Sequence, residues 1–413
     1  MKLVCLFLLC ALLFLGGCSN PHVPVSEHTT DSVALPADVR AVWISQFDLS
    51  PMCMASGIPR PREDFESRAV LMVSKLKMIG VNTVFIQTRP NADALYPSVL
   101  FPPSSYIVGI TGTHPEYDPF GILVEACQKG GISVHAWINP LRAMRTDDPR
   151  AKNTAYPVGA WVAANKPYVS VVGDCYYLNP AYTEVRTLVV AGVEEILEAY
   201  DVDGIHIDDY FYPTTDPSFD AAAYQEYQTS GGARSLADFR RAQSEALVRA
   251  ISEATRAEDR LFGISPGGNV RRNVEELYAD VETWCTQGLL DYLCPQVYFG
   301  IEHETQPFAE VCRTFDAWTS AANIPLIVGM TLEKAANASV GGEDPYAGTG
   351  KREWIDNRDV LVRCLQATGE LPSCRGVALF SYRLLFSPEN GADNTSTGEE
   401  CEALLPVFKE MTW

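Results

Sequence analysis

The 413-residue sequence lacks the patterns that mark several enzyme classes. It contains no Walker loop, no His-Glu-x-x-His motif and no Cys-x-x-Cys pair. These absences argue against phosphoryl transfer, a zinc protease site and a Cys/His zinc site. Ser265 lies in Ile-Ser-Pro-Gly without an evident partner, so a serine nucleophile gains little support. We therefore predict no metal site and no cofactor.

Basic residues are scarce: 32 Lys and Arg stand against 52 Asp and Glu, which gives a formal net charge of −20. Such a charge argues against nucleic acid and against an anionic membrane surface as partners. It suits an exported domain whose ligand is neutral or is matched by local charges.

Long apolar runs are also absent after the N-terminus. Lys2 and the apolar stretch 3–15, which is too short to span a bilayer comfortably, predict a signal peptide over residues 1–17. Leu15-Gly-Gly-Cys18 resembles the lipobox of bacterial lipoproteins, which implies lipidation of Cys18, palmitate included. A plain secretory signal is the alternative. Residues 18–38 then form a flexible tether, and we expect the protein in the bacterial cell envelope, lipid-anchored to a membrane.

Strand and helix patterns alternate from residue 39 to the end. Strand-like apolar runs occur at 39–45, 81–89, 133–139, 202–211, 261–266, 292–299, 325–331 and 376–382. Helical patterns occur at 62–79, 118–129, 180–200, 235–257, 272–287, 305–321, 353–367 and 399–410. Eight strand–helix units predict a single domain over 39–413 with the (β/α)8 TIM-type barrel fold. A doubly wound sheet is the alternative, but no Gly-rich turn follows the first strand.

Loop lengths indicate which face of such a barrel carries the site. Connections from helix to strand are short, such as Gly80 and Asp201, whereas connections from strand to helix are long, such as 90–117 and 140–179. In a (β/α)8 barrel the long connections all leave from the carboxyl ends of the strands. Since insertions concentrate where function lies, we expect the site at those ends.

The run 202–213 ends a buried strand with two adjacent carboxylates, Asp208 and Asp209, followed by aromatic residues. Period-two alternation turns His206, Asp208 and Tyr210 toward the barrel interior and places His206 one layer below Asp208. Asp209 lies at the exit, where the pleat no longer fixes its direction. His206 fits a hydrogen-bonded core histidine better than a catalytic one.

Polar and aromatic residues recur at the predicted ends of several other strands. Amides and Arg bind hydroxyls and acyl oxygens, and aromatic rings stack on sugar faces, so the set is typical of carbohydrate recognition. The candidate substrate-binding residues are Trp43, Gln87, Arg89, Asp93, Trp137, Asn139, His206, Tyr210 and Tyr298. A glycan is therefore the expected ligand.

Six motifs together resemble the glycosyl-hydrolase-like 10 family, and they cover the first six predicted strands in order. They are Arg40-Ala-Val-Trp-Ile, Gln87-Thr-Arg-Pro-Asn-Ala-Asp-Ala-Leu-Tyr-Pro-Ser98, His135-Ala-Trp-Ile-Asn-Pro140, Asp203-Gly-Ile-His-Ile-Asp-Asp-Tyr-Phe-Tyr-Pro213, Gly263-Ile-Ser-Pro266 and Pro295-Gln-Val-Tyr298. The resemblance implies a TIM-type barrel, an envelope location and hydrolysis of bacterial cell-wall glycan. Some members resemble glycosidases that prefer peptidoglycan strands stripped of stem peptides.

A looser likeness to barrel chitinases bears on mechanism. Those enzymes carry Asp-Gly-x-Asp-x-Asp-x-Glu on the fourth strand, and here Tyr210 stands in place of the catalytic Glu. We expect one of Asp208 and Asp209 to protonate the glycosidic oxygen, while the other orients the 2-acetamido group of the substrate as internal nucleophile. The rival mechanism uses Glu302 or Glu333 as a second carboxylate.

Two other functions stay open from the sequence. The first is a non-catalytic glycan-binding lipoprotein that kept the barrel, and the Tyr210 departure supports this alternative. The second is a glycosidase for another polysaccharide.

Overall fold

Eight parallel strands close a barrel in the computed structural model, which describes residues 33–109 and 115–413. Each strand pairs with its neighbours in the chain, and the last pairs with the first. The strands are β1 (Val39–Ile44), β2 (Thr83–Arg89), β3 (Ser133–Ile138), β4 (Gly204–Ile207), β5 (Leu261–Ile264), β6 (Tyr292–Leu293), β7 (Leu326–Thr331) and β8 (Cys374–Phe380). The predicted TIM-type barrel is confirmed.

One outer helix follows each strand and packs its apolar stripe against the barrel. These helices are α1 (Arg62–Met78), α2 (Pro119–Gly130), α3 (Thr183–Ala199), α4 (Leu236–Ala257), α5 (Val281–Thr286), α6 (Phe308–Ala322), α7 (Val360–Thr368) and α8 (Gly398–Glu410). Shorter helices in the connections span Gln46–Cys53, Ser105–Val108, Pro157–Ala163, Ala221–Thr229, Val270–Glu275, Glu333–Ser339 and Glu353–Asp356. The predicted helices thus match the outer ring, apart from two that are interrupted.

Both interruptions follow from local side-chain chemistry. The helix predicted at 272–287 breaks because Tyr278 adopts a left-handed backbone, with φ 53°, and Asp280 caps a new helix by accepting from the Thr283 amide. The helix predicted at 353–367 restarts at α7. There the buried Glu400 carboxylate accepts from the first two amides of α7 at 3.0 Å each.

β4, β5 and β6 are among the strands that end earlier than their apolar runs. β5 and β6 stop before Pro266 and Pro295, which have no N–H to donate to a neighbouring strand. β4 stops at Ile207, so Asp208 and Asp209 lie beyond the last paired residue. Side chains there are released from the strict alternation of the pleat and can turn into the mouth of the barrel.

Extra structure covers the carboxyl end of the barrel. The connection after β3 folds into a three-stranded antiparallel sheet made of Arg142–Arg145, Val169–Val172 and Cys175–Leu178. The long strand-to-helix connections predicted from the sequence therefore gather on this face, where they form walls around the strand ends.

The two ends of the barrel domain meet on the opposite face. The Trp413 amide donates to Asp38 Oδ1 at 2.9 Å, and Arg40 Nη2 donates to the Met411 carbonyl at 2.6 Å. Arg40 Nε also donates to the Phe408 carbonyl at 3.0 Å. These bonds fasten the last helix beside the entry to β1.

The predicted signal peptide, the predicted lipidation site Cys18 and residues 18–32 of the predicted tether lie outside the described residues. Within 33–109 and 115–413, no helix is long and apolar enough to cross a bilayer.

A fully buried ion pair fixes the connection that follows the two aspartates. Arg240 on α4 donates to both carboxylate oxygens of Asp220, at 2.6 and 3.0 Å. Its remaining donors reach the Thr214 and Asp216 carbonyls and the Tyr278 hydroxyl. Since every guanidinium nitrogen is satisfied, the pair secures the loop 212–220 to the outer helix.

We predict that Arg240→Met lowers the free energy of unfolding by about 3–5 kcal/mol, because it leaves the Asp220 carboxylate buried without its partner. Urea denaturation measures the change. Arg241→Met is the matched control: Arg241 pairs with the exposed Asp238, and its loss costs less than about 1 kcal/mol. Equal losses in the two variants would show that the buried pair does not secure this loop.

Candidate active site

A cavity of about 370 Å³ opens at the carboxyl ends of the barrel strands, and Asp208 and Asp209 form part of its wall. Its size lies within the usual range for small-ligand sites. The other residues that line it are Trp43, Ser45, Gln46, Phe47, Gln87, Trp137, Arg142, Tyr210, Ser265, Gln296, Tyr298 and Phe380. The structure therefore brings both aspartates together with Trp43, Gln87, Trp137, Tyr210 and Tyr298 from the predicted set.

Asp208 is buried and held by donors from β3 and from the residue that follows the strand. Trp137 Nε1 and Asn139 Nδ2 both donate to Asp208 Oδ2, at 3.0 and 2.5 Å. The Tyr210 amide donates to Oδ1 at 3.2 Å. Asn139 is itself fixed, since its Oδ1 accepts from Gln87 Nε2 at 2.7 Å. Asp208 thus has a defined orientation, which Trp137 and Asn139 impose.

Asp209 is less restrained than its neighbour. It accepts one side-chain hydrogen bond, from Gln296 Nε2 to Oδ1 at 3.2 Å. Gln296 in turn is anchored by a second bond, from Nε2 to the Ser265 carbonyl at 3.0 Å. The direction of Asp209, which the sequence left undetermined, is therefore toward the β5 and β6 ends of the cavity.

Burial raises the pKa of both carboxyls, and that of Asp208 is raised well above its ordinary value. The neighbouring Asp209 charge raises the pKa of Asp208 further, whereas the donors from Tyr210, Trp137 and Asn139 oppose the rise. Two adjacent buried carboxyls cannot both ionise cheaply, so the pair retains a proton at a pH where an ordinary Asp is charged. A protonated and an ionised carboxyl side by side are what acid catalysis on a glycoside requires.

His206 lies one layer below the cavity, inside the barrel. Its Nδ1 contacts the Tyr292 hydroxyl at 3.0 Å, and its ring stacks on Phe85 with 4.2 Å between ring centroids. The Tyr292 hydroxyl also contacts His135 Nδ1 at 3.0 Å, and Gly263 leaves the space that the Tyr292 ring occupies. Burial and the neighbouring His135 lower the pKa of His206 well below its ordinary value, so the ring is neutral. We predicted that His206 contacts the substrate, and its position one layer below the cavity does not agree with that prediction.

Ser265 has a partner that the sequence did not reveal. Ser265 Oγ lies 3.0 Å from His206 Nε2, and Gly263–Gly267 has the glycine–serine–glycine spacing of a nucleophile elbow. The elbow spacing was overlooked in the sequence, and His206 is a partner of Ser265 that was not evident from it. A catalytic triad, however, places a carboxylate on the second imidazole nitrogen, whereas His206 meets the neutral Tyr292 hydroxyl there. With its lowered pKa, His206 is a weak base, and we assign the contact to the structure of the barrel interior.

Tyr210, which stands where chitinases carry a catalytic Glu, is partly exposed at the rim of the cavity. Its hydroxyl accepts from Arg142 Nη1 at 3.1 Å, and the Arg142 guanidinium lies over its ring, 5.0 Å from the centroid. Tyr210 therefore positions a cation beside the aspartate pair, which the sequence motif alone did not indicate.

A second cavity of about 670 Å³ continues from the first on the β5–β7 side. Asp209, Gln296 and Tyr298 line both cavities, so the aspartate pair lies along a longer cleft and not at the bottom of a closed pocket. Arg272 and Lys334 contribute charge to the second cavity, and each is paired with a carboxylate. A cleft of this length can hold several sugar units of a chain.

Arg89 and Asp93 lie away from the cavity, and their predicted contact with substrate is corrected. The pairing of β2 with β3 shifts register between Gln87 and Arg89, which turns Arg89 outward beneath α3. There it lies 4.4 Å from the Phe101 ring centroid, in space that Gly192 leaves open. Asp93 is buried in the following connection.

Glu302 also lies away from the cavity, so its predicted catalytic role is corrected as well. Its side chain is exposed and faces Arg363, with 3.8 Å between Oε1 and Nη1. The alternative second carboxylate, Glu333, pairs with Arg383 at 3.6 Å near the rim and lines neither cavity. Neither residue can serve as a partner across the glycosidic bond in this arrangement.

Several residues of the site were not predicted from the sequence. Gln46 and Phe47 come from the short helix after β1, Arg142 from the sheet after β3, and Phe380 from the end of β8. Gln296 follows Pro295 and was visible as a strand-end amide. Among the described residues, no group of three or more His, Cys, Asp and Glu side chains could hold a metal ion.

Comparison with known proteins agrees with this geometry. The chain is 32% identical to the glycosyl hydrolase YngK of Bacillus subtilis over 401 residues, which cover 91% of this chain and 74% of that protein. It is 28% identical to the glycosyl hydrolase DigH of Escherichia coli K12 over 391 residues, 87% of this chain and 86% of that protein.

Solved structures share the fold at low identity. The glycoside hydrolase domain of PgaB (BpsB) from Bordetella bronchiseptica superposes with a TM-score of 0.54 at 12% identity, over 91% of this chain and 100% of that one. The catalytic domain of a Paenibacillus polymyxa beta-amylase gives 0.55 at 10% identity, with the same coverage.

The sequence profile of the glycosyl hydrolase-like 10 family matches residues 38–346, which include β1 to β7 and the aspartate pair. Together with the identity to YngK over most of both chains, this match shows that the chain belongs to the glycosyl hydrolase-like 10 family.

Proposed function

We propose that the protein is a glycoside hydrolase that cleaves the glycan strands of bacterial cell wall, including strands stripped of stem peptides. The observation that carries the proposal is the adjacent Asp208–Asp209 pair at the end of β4, with Asp208 buried and Asp209 half-buried, where two adjoining cavities meet. The sequence features of residues 1–18 support an envelope location with a lipid anchor, which we propose as well.

The different restraints on the two aspartates divide their roles. Asp208, fixed by Trp137 and Asn139, holds the N–H of the substrate 2-acetamido group and turns its carbonyl oxygen toward the anomeric carbon. The substrate N–H adds a further donor to Asp208 and favours its ionised form, so the shared proton lies on Asp209, which has a single side-chain donor and protonates the glycosidic oxygen. The acetamido oxygen is the nucleophile, so no second carboxylate across the bond is needed. The positions of Glu302 and Glu333 favour this mechanism over the two-carboxylate alternative.

The rim of the cleft suits a sugar polymer with flat apolar faces. Trp43, Trp137, Tyr298 and Phe380 line the first cavity together with the amide of Gln87. Aromatic rings stack on the C–H faces of pyranoses while amides bind their hydroxyls. The extension past Asp209 accommodates sugars on the other side of the bond.

We predict that Asp208→Asn and Asp209→Asn each lower kcat/KM for purified glycan strands by about 10²–10⁴-fold. Release of reducing ends measures the loss. The two variants separate on an aryl glycoside of an N-acetylglucosamine oligomer, whose leaving group needs no proton. There Asp209→Asn keeps most of its rate and Asp208→Asn does not.

A reversed pattern on the aryl glycoside would exchange the two roles. Near-wild-type rates in both variants, or strand binding by the wild type without any product, would support the non-catalytic glycan-binding alternative, which the Tyr210 substitution favours.

We predict that kcat/KM of the wild type falls on the alkaline side of a pH profile, as the pair loses the proton that its raised pKa values retain. Asp209→Asn removes the neighbouring charge that raises the pKa of Asp208, so on the aryl glycoside, where Asp208 must be ionised, the acid limb of its activity moves to lower pH than that of the wild type. An unmoved limb would mean that the two carboxyls do not interact.

Asp208→Asn also tests how the buried Asp208 carboxyl affects the stability of the folded protein. Because burial raises the pKa of Asp208 in the folded protein, its ionisation favours unfolding as the pH rises above 3.8, the ordinary value. We predict that the melting midpoint of the variant, relative to that of the wild type, rises from pH 4 to pH 7. Differential scanning calorimetry across this range measures both midpoints, and a difference that is constant or falls as the pH rises would contradict the prediction.

A further inference from the structure

Arg142 differs from the other cations around the cleft. Arg272 pairs with Glu276 at 3.3 Å, Lys334 with Asp344 at 2.8 Å, and Arg383 with Glu333 at 3.6 Å. Arg142 has no carboxylate within 4.0 Å among the described residues, although it lines the catalytic cavity. The Asp208 carboxylate acts on Arg142 electrostatically at longer range, as do the Tyr210 and Tyr177 side chains, but no carboxylate among the described residues takes up its hydrogen-bond donors.

The donors of Arg142 are only partly used. Nη1 donates to the Tyr210 hydroxyl, and the Tyr210 ring supports the plane of the guanidinium from below. Nε is buried without a hydrogen-bond partner, and Nη2 has none among the residues that the structure describes. Nε and Nη2 form one edge of the guanidinium, and this edge binds a carboxylate through two parallel hydrogen bonds.

The contacts of Arg142 place this edge of the guanidinium near the glycosidic bond that is cut. Tyr210, on which Arg142 stacks, donates its amide to Asp208 Oδ1 at 3.2 Å. An anion held by Arg142 therefore lies beside the sugar whose acetamido group Asp208 orients. The Tyr210 ring and hydroxyl restrict the guanidinium, so little side-chain freedom remains to be lost when a ligand binds.

We infer that Arg142 is a specificity residue that binds a carboxylate carried by the substrate, so that the protein selects an acidic glycan over a neutral one. The inference rests on the proposed glycosidase function and assigns to Arg142 the recognition of the acidic substituent that such strands carry. The lactyl ether of N-acetylmuramic acid is such a group. The local cation offsets the repulsion that the negative charge of the protein exerts on an acidic polymer.

The charge on the substrate can be removed chemically, which permits a cycle of two enzymes and two substrates. The probes are peptidoglycan strands freed of stem peptides and the same strands with their lactyl carboxylates reduced to alcohols. We expect kcat/KM of the wild type to be about 10–100-fold higher on the acidic strands. In Arg142→Gln the ratio of kcat/KM on the acidic strands to kcat/KM on the reduced strands falls to near one. In Arg142→Lys, which keeps the positive charge but loses the paired guanidinium donors, the ratio is intermediate.

Arg145→Gln is the matched control. Arg145 lies three residues further along the same strand, is exposed and pairs with Asp147 and Asp174, so its loss changes the charge equally near the site. This variant keeps the wild-type ratio. A ratio near one in the wild type, or a ratio that persists in Arg142→Gln, would overturn the inference.

Binding separates this inference from the proposed catalysis. Isothermal titration of Asp209→Asn with the two strand preparations measures selectivity without turnover, and we expect tighter binding of the acidic strands that Arg142→Gln abolishes in the same background. If the wild type cleaves neither strand while this selectivity is present, the catalytic proposal fails and the inference stands. Equal binding of the two preparations by Asp209→Asn would refute the inference.

Discussion

The cost of burying two adjacent carboxyl groups constrains the architecture around β4. Asp208 is buried, Asp209 is half-buried and their charges repel each other, so the surrounding residues must compensate. Trp137 and Asn139 supply donors from β3, Gln296 supplies one from beyond β6, and the backbone after Asp208 supplies another.

These contacts join three strands of the barrel through side chains where the backbone ladder has ended. The pairing of β5 with β4 ends where the Ser265 amide donates to the Ile207 carbonyl at 2.8 Å, and the Ser265 carbonyl anchors Gln296 instead. A more regular barrel would have paired that carbonyl with β4. The irregular mouth is thus a condition for holding the two aspartates there.

The fold followed from the sequence because its signals are local and repeated. Apolar periodicity gave eight strands and eight helices, and unequal loop lengths identified the functional face.

The positions of individual side chains were harder to predict from the sequence. Arg89 belongs to a motif with a polar appearance, yet a one-residue register shift turns it beneath α3, and no pattern in the sequence marks such a shift. Glu302 follows a strand but lies on a loop whose course depends on Glu353 and Arg363, which are about 50 residues further along the chain. Arg142 was visible only as one more strand-end residue, since its contact with Tyr210 joins two separate connections.

The clasp between Asp38, Arg40 and the last residues of the chain has a mechanical consequence. It brings the entry and the exit of the barrel together at the face opposite to the cleft. Either end can therefore be attached to a support, or fused to another domain, while the mouth of the barrel stays unobstructed.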